Sequence, residues 1–244
     1  KLIFDYANHY LQEDNIFRDF FRPLANATIK RYKYSVKTYK RLLLEILHKA
    51  DLIICSSYYQ KSYLEKLGIQ SFVITDCFDD EFSFPTCIPD IDNNQFFWEG
   101  QGFNFKALLD LAPTINLFKE IPISINTDST FDGYLNNKYF AKSTISAVKE
   151  NFNNFSFSEW SLASVNNNIR KSNIGLLPLD SLSLMSYAKP ENRLVLFWRF
   201  GIYTLASAND SHLRLKSQTG FDFICTDTDE WEKKINYIPL PNVI

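Results

Sequence analysis

Short apolar runs closed by polar or turn residues alternate along the chain with longer stretches whose apolar positions recur at helical spacing. Leu2-Ile3-Phe4-Asp5 reads as a buried strand ending in an acidic residue. Residues 10–21 form an aromatic-rich stretch with weak helical spacing. Residues 28–49 follow a clear helical pattern, with Leu42, Leu43, Ile46 and Leu47 on one side. Leu52-Ile53-Ile54-Cys55 is the next strand, closed by Ser56-Ser57. Residues 58–67 are a helix stopped by Gly68, which suits a left-handed cap, and Ser71-Phe72-Val73-Ile74 is a further strand. Strand, helix and strand at this spacing give the βαβ rhythm of a parallel sheet.

Residues 76–94 carry Asp79, Asp80, Glu81, Pro85, Pro89, Asp90 and Asp92 without sustained periodicity, and read as a domain linker or a long loop within one domain. The rhythm then restarts. Gln95-Phe96-Phe97-Trp98-Glu99 is a strand, and a helix over residues 104–111 is broken or restarted at Pro113 and runs to about residue 120. Strands are expected at 122–126, 155–157, 174–178, 202–206 and 221–225, with helices at 138–151, 162–171, 189–200 and 229–235. A parallel sheet covered by helices on both faces fits this order better than an all-β or all-α plan. In such sheets ligands sit at the carboxyl ends of the strands.

Composition narrows the classes. At 244 residues with 45% hydrophobic positions, the chain can bury one large core or two small ones, which excludes disorder. A formal charge of −2 does not steer it towards nucleic acid. Cys55, Cys77, Cys87 and Cys225 show no CxxC pair and lie in or near apolar runs, which points to reduced thiols and a cytoplasmic, reducing compartment. No run reaches the ~18 apolar residues needed to span a bilayer. Lys1 leads straight into a strand, so no signal peptide is read and the chain is expected to begin in mid-structure.

Several residues could carry chemistry. Gly100-Gln101-Gly102 stands between a strand and a helix, where a phosphate could approach the backbone and meet free helix N–H groups; the same glycines also suit a plain tight turn. In Lys189-Pro190-Glu191-Asn192-Arg193, Pro190 is read at a first helical position. Lys189 would then lie at the positive end of the helix with Asn192 and Arg193 in its first turn, a set suited to a diphosphate or to a solvated helix start. Trp160 follows a short strand and could stack on a nucleobase or fill the core. Asp128-Ser129-Thr130 and Asp227-Thr228-Asp229 read as turn or cap residues rather than metal ligands. His48 and His212 carry no signal. Between Lys30 and Lys49 seven basic residues face the single acid Glu45, so the helix 28–49 could rest on an anionic membrane surface or present an ordinary solvated face.

Three segments, in order, resemble the GT-B glycosyltransferases, especially the large retaining group-1 and related families. Residues 50–57, Ala-Asp-Leu-Ile-Ile-Cys-Ser-Ser, look like the strand that ends the acceptor lobe. Phe97-Trp98-Glu99-Gly100 is similar to the strand that opens the donor lobe. The run from Asn173-Ile174-Gly175-Leu176-Leu177-Pro178-Leu179 through Lys189-Pro190-Glu191-Asn192-Arg193 to Gly201-Ile202-Tyr203 resembles the family's donor-site run. Asn173 stands where Asp is common and Tyr203 where Pro is. The E-x7-E signature is absent, which leaves retaining or inverting stereochemistry open.

The resemblance implies an α/β protein of two Rossmann-like parallel-sheet lobes, the first incomplete. Residues 1–88 would be a partial acceptor-side lobe plus linker, and 89–244 the donor lobe. It implies transfer of a sugar from a nucleotide-sugar donor to a glycan or lipid-linked acceptor in surface polysaccharide synthesis, without metal or other cofactor. Gly100, Gln101 and Gly102 would border the diphosphate, Trp160 the base, and Lys189, Asn192 and Arg193 the phosphates or sugar. Asp5 and His9 would be candidates for a general base. The protein would be cytoplasmic, with peripheral contact at the inner membrane face through the basic helix. A nucleotide-sugar epimerase of the same fold and a non-catalytic nucleotide-binding lobe are the alternatives.

Overall fold

The computed structural model describes residues 1–6, 39–75, 94–131, 141–180 and 183–238. The chain divides into one unit of Lys1–Asp76, Ser181–Pro190 and Asn209–Ser211, and a second of Cys77–Asp180, Glu191–Ala208 and His212–Ile244. The expected helical stretch at 10–21, the first part of the basic helix and nearly all of the 76–94 segment lie outside the described residues.

In the first unit, strands β1 (Ile3–Tyr6), β2 (Leu52–Cys55) and β3 (Phe72–Val73) form a parallel sheet in the order β1-β2-β3. Helix α1 (Tyr39–Lys49) buries Leu43 and Leu47, one turn apart, in a cluster with Tyr6, Ile53, Cys55 and Leu64. Ile46 is exposed, so the inward stripe is turned from the expected one: of the neighbouring pairs 42/46 and 43/47, packing selects the second. Helix α2 (Tyr58–Lys66) opens on a capping box, in which the Ser57 hydroxyl accepts from the Gln60 amide and Gln60 Oε1 accepts from the Ser57 amide at 3.1 Å. It closes before Gly68, whose φ of +73° is the left-handed position expected there. Ser57 Oγ also donates to the Ala188 carbonyl at 2.8 Å, and Tyr59 meets Tyr187 edge-on.

Among the described residues the second unit holds eight parallel-sheet and ribbon strands: β4 (Phe96–Glu99), β5 (Ile123–Thr127), β6 (Thr130–Phe131), β7 (Lys142–Ser143), β8 (Phe155–Glu159), β9 (Ile174–Leu177), β10 (Tyr203–Ser207) and β11 (Ile224–Cys225). Six of them form one parallel sheet in the order β11-β10-β9-β4-β5-β8, and β6 pairs antiparallel with β7. Chain order reverses between β4 and β9, so the strand ends diverge there. Alternate β4 residues serve opposite faces. Phe96 and Trp98 join the core of α3 (Phe105–Ile115), α4 (Thr144–Asn151) and the last helix, whereas Phe97 packs with α5 (Leu162–Ile169) and the Leu194–Phe197 face. A strand buried on both sides is apolar throughout, which is why Phe-Phe-Trp and Ile-Gly-Leu-Leu read as unbroken runs.

Some expectations fail for identifiable reasons. Pro113 does not break α3. It stands two residues from the helix end, and buried Leu111, Ala112 and Ile115 hold that turn on the core; the helix stops at Ile115, not near 120. Of the helix expected at 138–151, residues 138–140 lie outside the described residues and Lys142–Ser143 form β7, with Ser143 capping α4. The chain after β9 holds a short helix α6 (Leu184–Tyr187) that the pattern did not show. Helix α7 spans Asn192–Arg199 and helix α8 spans Asp210–Thr219. No helix was read at α8, because its fully buried positions, Ser211 and His212, are polar. Helix α9 (Thr228–Asn236) is capped by Asp227, as that residue's turn-and-cap reading expects.

Cys55 and Cys225 are free and buried; burial raises both thiols, Cys225 to about 12. Among the described residues no helix is long and apolar enough to cross a membrane. Lys216 (2.7 Å) and Lys234 (2.8 Å) hold the exposed Asp222 carboxyl down at about 2, against an ordinary 3.8. A depressed carboxyl stabilises the fold above its ordinary pKa and loses that contribution as pH falls towards 2. Carboxyl-detected NMR titration is expected to show Asp222 titrating near 2, with Lys216→Ala moving it towards 3.8. A titration unmoved by Lys216→Ala would refute the pairing.

Candidate functional site

β4 delivers Glu99 and Gly100 to the carboxyl edge of the sheet beside the switch point. Glu99 is only 8% exposed. A buried carboxylate needs partners, and two side chains supply them. The indole Nε1–H of Trp160 donates to Glu99 Oε2 at 3.2 Å. Arg193 donates through Nη1 to the Glu99 carbonyl at 2.9 Å and brings Nε to 3.9 Å from Oε1. Trp160 itself is half-exposed, so it is not the core tryptophan of the alternative reading.

Arg193 lies in the first turn of α7, where a cation opposes the helix dipole. The Glu99 carbonyl and carboxylate compensate it. Asn192 is the first residue of α7, and its Oδ1 accepts from the Arg193 amide at 2.9 Å. The helix starts later than expected: Glu191 is the N-cap and Pro190 stands before it, so Pro190 is not a first helical residue. Lys189 therefore precedes the cap by two residues, within the first unit, where its carbonyl accepts from Asn209 Nδ2 at 3.3 Å. Glu191 is buried and forms an ion pair with Arg214 of α8. The presence of that pair at the helix start explains why an acidic residue sits between Lys189 and Asn192.

The glycines make room for the chain's own atoms. A Cβ on Gly100 would lie 2.9 Å from Arg193 Nη1 and 3.0 Å from the Trp98 ring. A Cβ on Gly102 would strike the Thr130 carbonyl, and the Gly102 amide donates to Asp128 Oδ2 at 2.6 Å. Asp128 thus holds the Gly102 amide from a distant part of the chain, while the backbone N-cap of the following turn is Gln101. Gln101 is exposed and precedes the single 3-10 turn Gly102–Asn104 that leads into α3.

One strand over, at the end of β5, Asn126 Nδ2 and Thr127 Oγ1 are buried with no hydrogen-bond partner among the described residues. Buried polar atoms of this kind recruit ordered water or ligand. In the first unit, Asp5 lies inside β1 rather than at its end and is exposed. His9 lies outside the described residues. Sequence reasoning passed over Glu99 as a plain strand end. The signal was a charged residue directly closing a four-residue buried run, where an acid needs a reason.

No family model and no curated protein matches the chain. Solved structures do. The chain is similar to TarM from S. aureus with a TM-score of 0.57 at 10% identity, over 85% of this chain and 40% of that one. It is similar to HepE from Anabaena, solved with UDP and glucose, with a TM-score of 0.57 at 14% identity, over 80% and 56% of the two chains. A glycosyltransferase from Rickettsia africae ESF-5 gives a TM-score of 0.59 at 12% identity, over 93% and 72%. The likeness is one of fold: the chain has the parallel-sheet α/β fold of the GT-B type. It spans 40% and 56% of the length of the first two proteins.

Proposed function

We propose that the chain carries the nucleotide-sugar site of a glycosyltransferase, which moves a sugar from a nucleotide-sugar donor to a glycan or lipid-linked acceptor in surface polysaccharide synthesis. The observation that carries this reading is the convergence of Trp160, Glu99 and Arg193 beside the switch point of the second unit. Support comes from the fold's neighbours, since HepE was solved with UDP and glucose and a TarM variant with UDP. An exposed indole offers a stacking face to a nucleobase. Arg193 has five N–H donors, more than its contacts with Glu99 use, and with Asn192 it stands at the start of α7, whose dipole favours an anion. These groups would stabilise the leaving diphosphate. Gly100, Gln101 and Gly102 border the site by leaving space; the Gly102 amide is already given to Asp128. On the acceptor side, Asp5 and His9 are assigned to deprotonation of the acceptor hydroxyl, and the basic helix to contact with an anionic membrane surface.

Thermal-shift measurements with UDP, GDP, ADP and CMP test the site. At a hundredfold excess over Kd a ligand stabilises by about 2.7 kcal/mol, which moves the melting temperature by several degrees. At least one nucleoside diphosphate is expected to do so. Silence from all four would remove the central claim. Acceptor-dependent release of nucleotide from a nucleotide-sugar then tests transfer itself.

A further inference from the structure

Trp160 and Glu99 belong to strands that are not neighbours. Trp160 follows β8 and Glu99 ends β4, with β5 between them. Both chain segments run on past their strands against β5: the Gly100 amide donates to the Asn126 carbonyl at 3.1 Å, and the Trp160 amide donates to the Thr127 carbonyl at 2.9 Å. The backbone at each side is thereby fixed. The indole then bridges the gap, reaching across the end of β5 to Glu99 Oε2.

A half-exposed tryptophan gains little from packing in one rotamer. Here a buried carboxylate selects one, and the carboxylate is itself held beside Arg193, with Oε1 3.9 Å from Nε. We propose that Glu99 is a positioning residue for the nucleobase: it holds the Trp160 indole across the end of β5 before a nucleotide arrives. The proposal rests on the donor-site reading above. Its physical content is preorganisation, since a ring already in place loses no rotamer freedom on stacking. Because the same residue's carbonyl anchors Arg193, the base platform and the cation proposed for the diphosphate are referred to one point of the chain.

Binding of uridine and UDP to the full chain, measured by calorimetry, is the test. Glu99→Leu removes the acceptor and is expected to weaken uridine about fivefold. Glu99→Gln keeps an amide oxygen for the indole and is expected to rescue uridine binding to within about twofold of the parent. Trp160→Phe keeps a ring but no N–H and changes no buried position, so it is expected to match Glu99→Leu even where that variant folds poorly. In a Trp160→Ala background, Glu99→Leu is expected to change uridine affinity no further. Parent-like uridine binding by both Glu99→Leu and Trp160→Phe would overturn the proposal, as would an undiminished Glu99 effect without Trp160. The donor-site reading fails differently: the parent chain binds neither ligand, or Trp160→Ala leaves both affinities intact, and either result takes the Glu99 proposal down with it.

Discussion

Replacing Arg193 by alanine is expected to weaken UDP binding roughly thirtyfold while leaving uridine within about twofold. One hydrogen bond to a charged group contributes about 1.5–3 kcal/mol, and about 2 kcal/mol corresponds to thirtyfold. Uridine has no phosphate, so it reports the base platform alone. The same substitution removes the cation beside Glu99, whose side chain is 10% exposed. Breaking a fully buried pair costs about 3–5 kcal/mol, and since Arg193 keeps 24% of its side chain in solvent, about 2 kcal/mol of stability is the expected loss. Arg193→Lys keeps the charge but not the planar fork, and a lysine cannot span the Glu99 carbonyl and a phosphate together. It is expected to recover stability better than UDP affinity. Equal losses for uridine and UDP in Arg193→Ala would reduce Arg193 to a structural tie between α7 and β4.

The double role of Arg193 shows what the sequence could and could not convey. Apolar runs located β2, β4, β5 and β9 within a residue or so, because strands buried on two faces tolerate little else. Caps were legible at Gly68 and Asp227, where a positive φ or local hydrogen bonding dictates the residue type, whereas the cap at Ser57 was read only as the close of a strand. α8 was invisible, since it buries Ser211 and His212, the latter through a 2.8 Å bond from its ring Nδ1 to the Ser207 carbonyl. Asp128 as the partner of Gly102, and Glu99 as the partner of Trp160, are contacts across 26 and 61 positions of chain. No local pattern encodes such pairings. The run around Asn192 and Arg193 could be found by its resemblance, but the helix start could not be placed from Pro190. The Glu191–Arg214 ion pair, which joins α7 to α8, fixes Glu191 as the cap instead.

Gly175→Val is expected to lower stability by about 3 kcal/mol and the melting temperature by roughly 10 °C. Gly175 sits in β9 next to the switch point, and a Cβ there would collide with the ring of Phe197 and lie 3.1 Å from Thr204 Oγ1. Phe197 is fully buried and tilted against Phe97, 5.4 Å between centroids, so it has nowhere to retreat. Its φ is not the issue; the glycine is required by close approach of a helix to a strand. Phe197 lies one turn beyond Arg193 on α7, and displacing the ring displaces the helix that presents Asn192 and Arg193. Gly175→Val is therefore expected to weaken UDP binding as well as the fold, although residue 175 lies at the opposite end of β9 from the proposed nucleotide site. Phe197→Leu should relieve the clash, so the double variant is expected to be more stable than the sum of the two single losses predicts. Additive losses in chemical denaturation would mean that the valine is accommodated elsewhere, and that Gly175 does not set the spacing between α7 and the sheet.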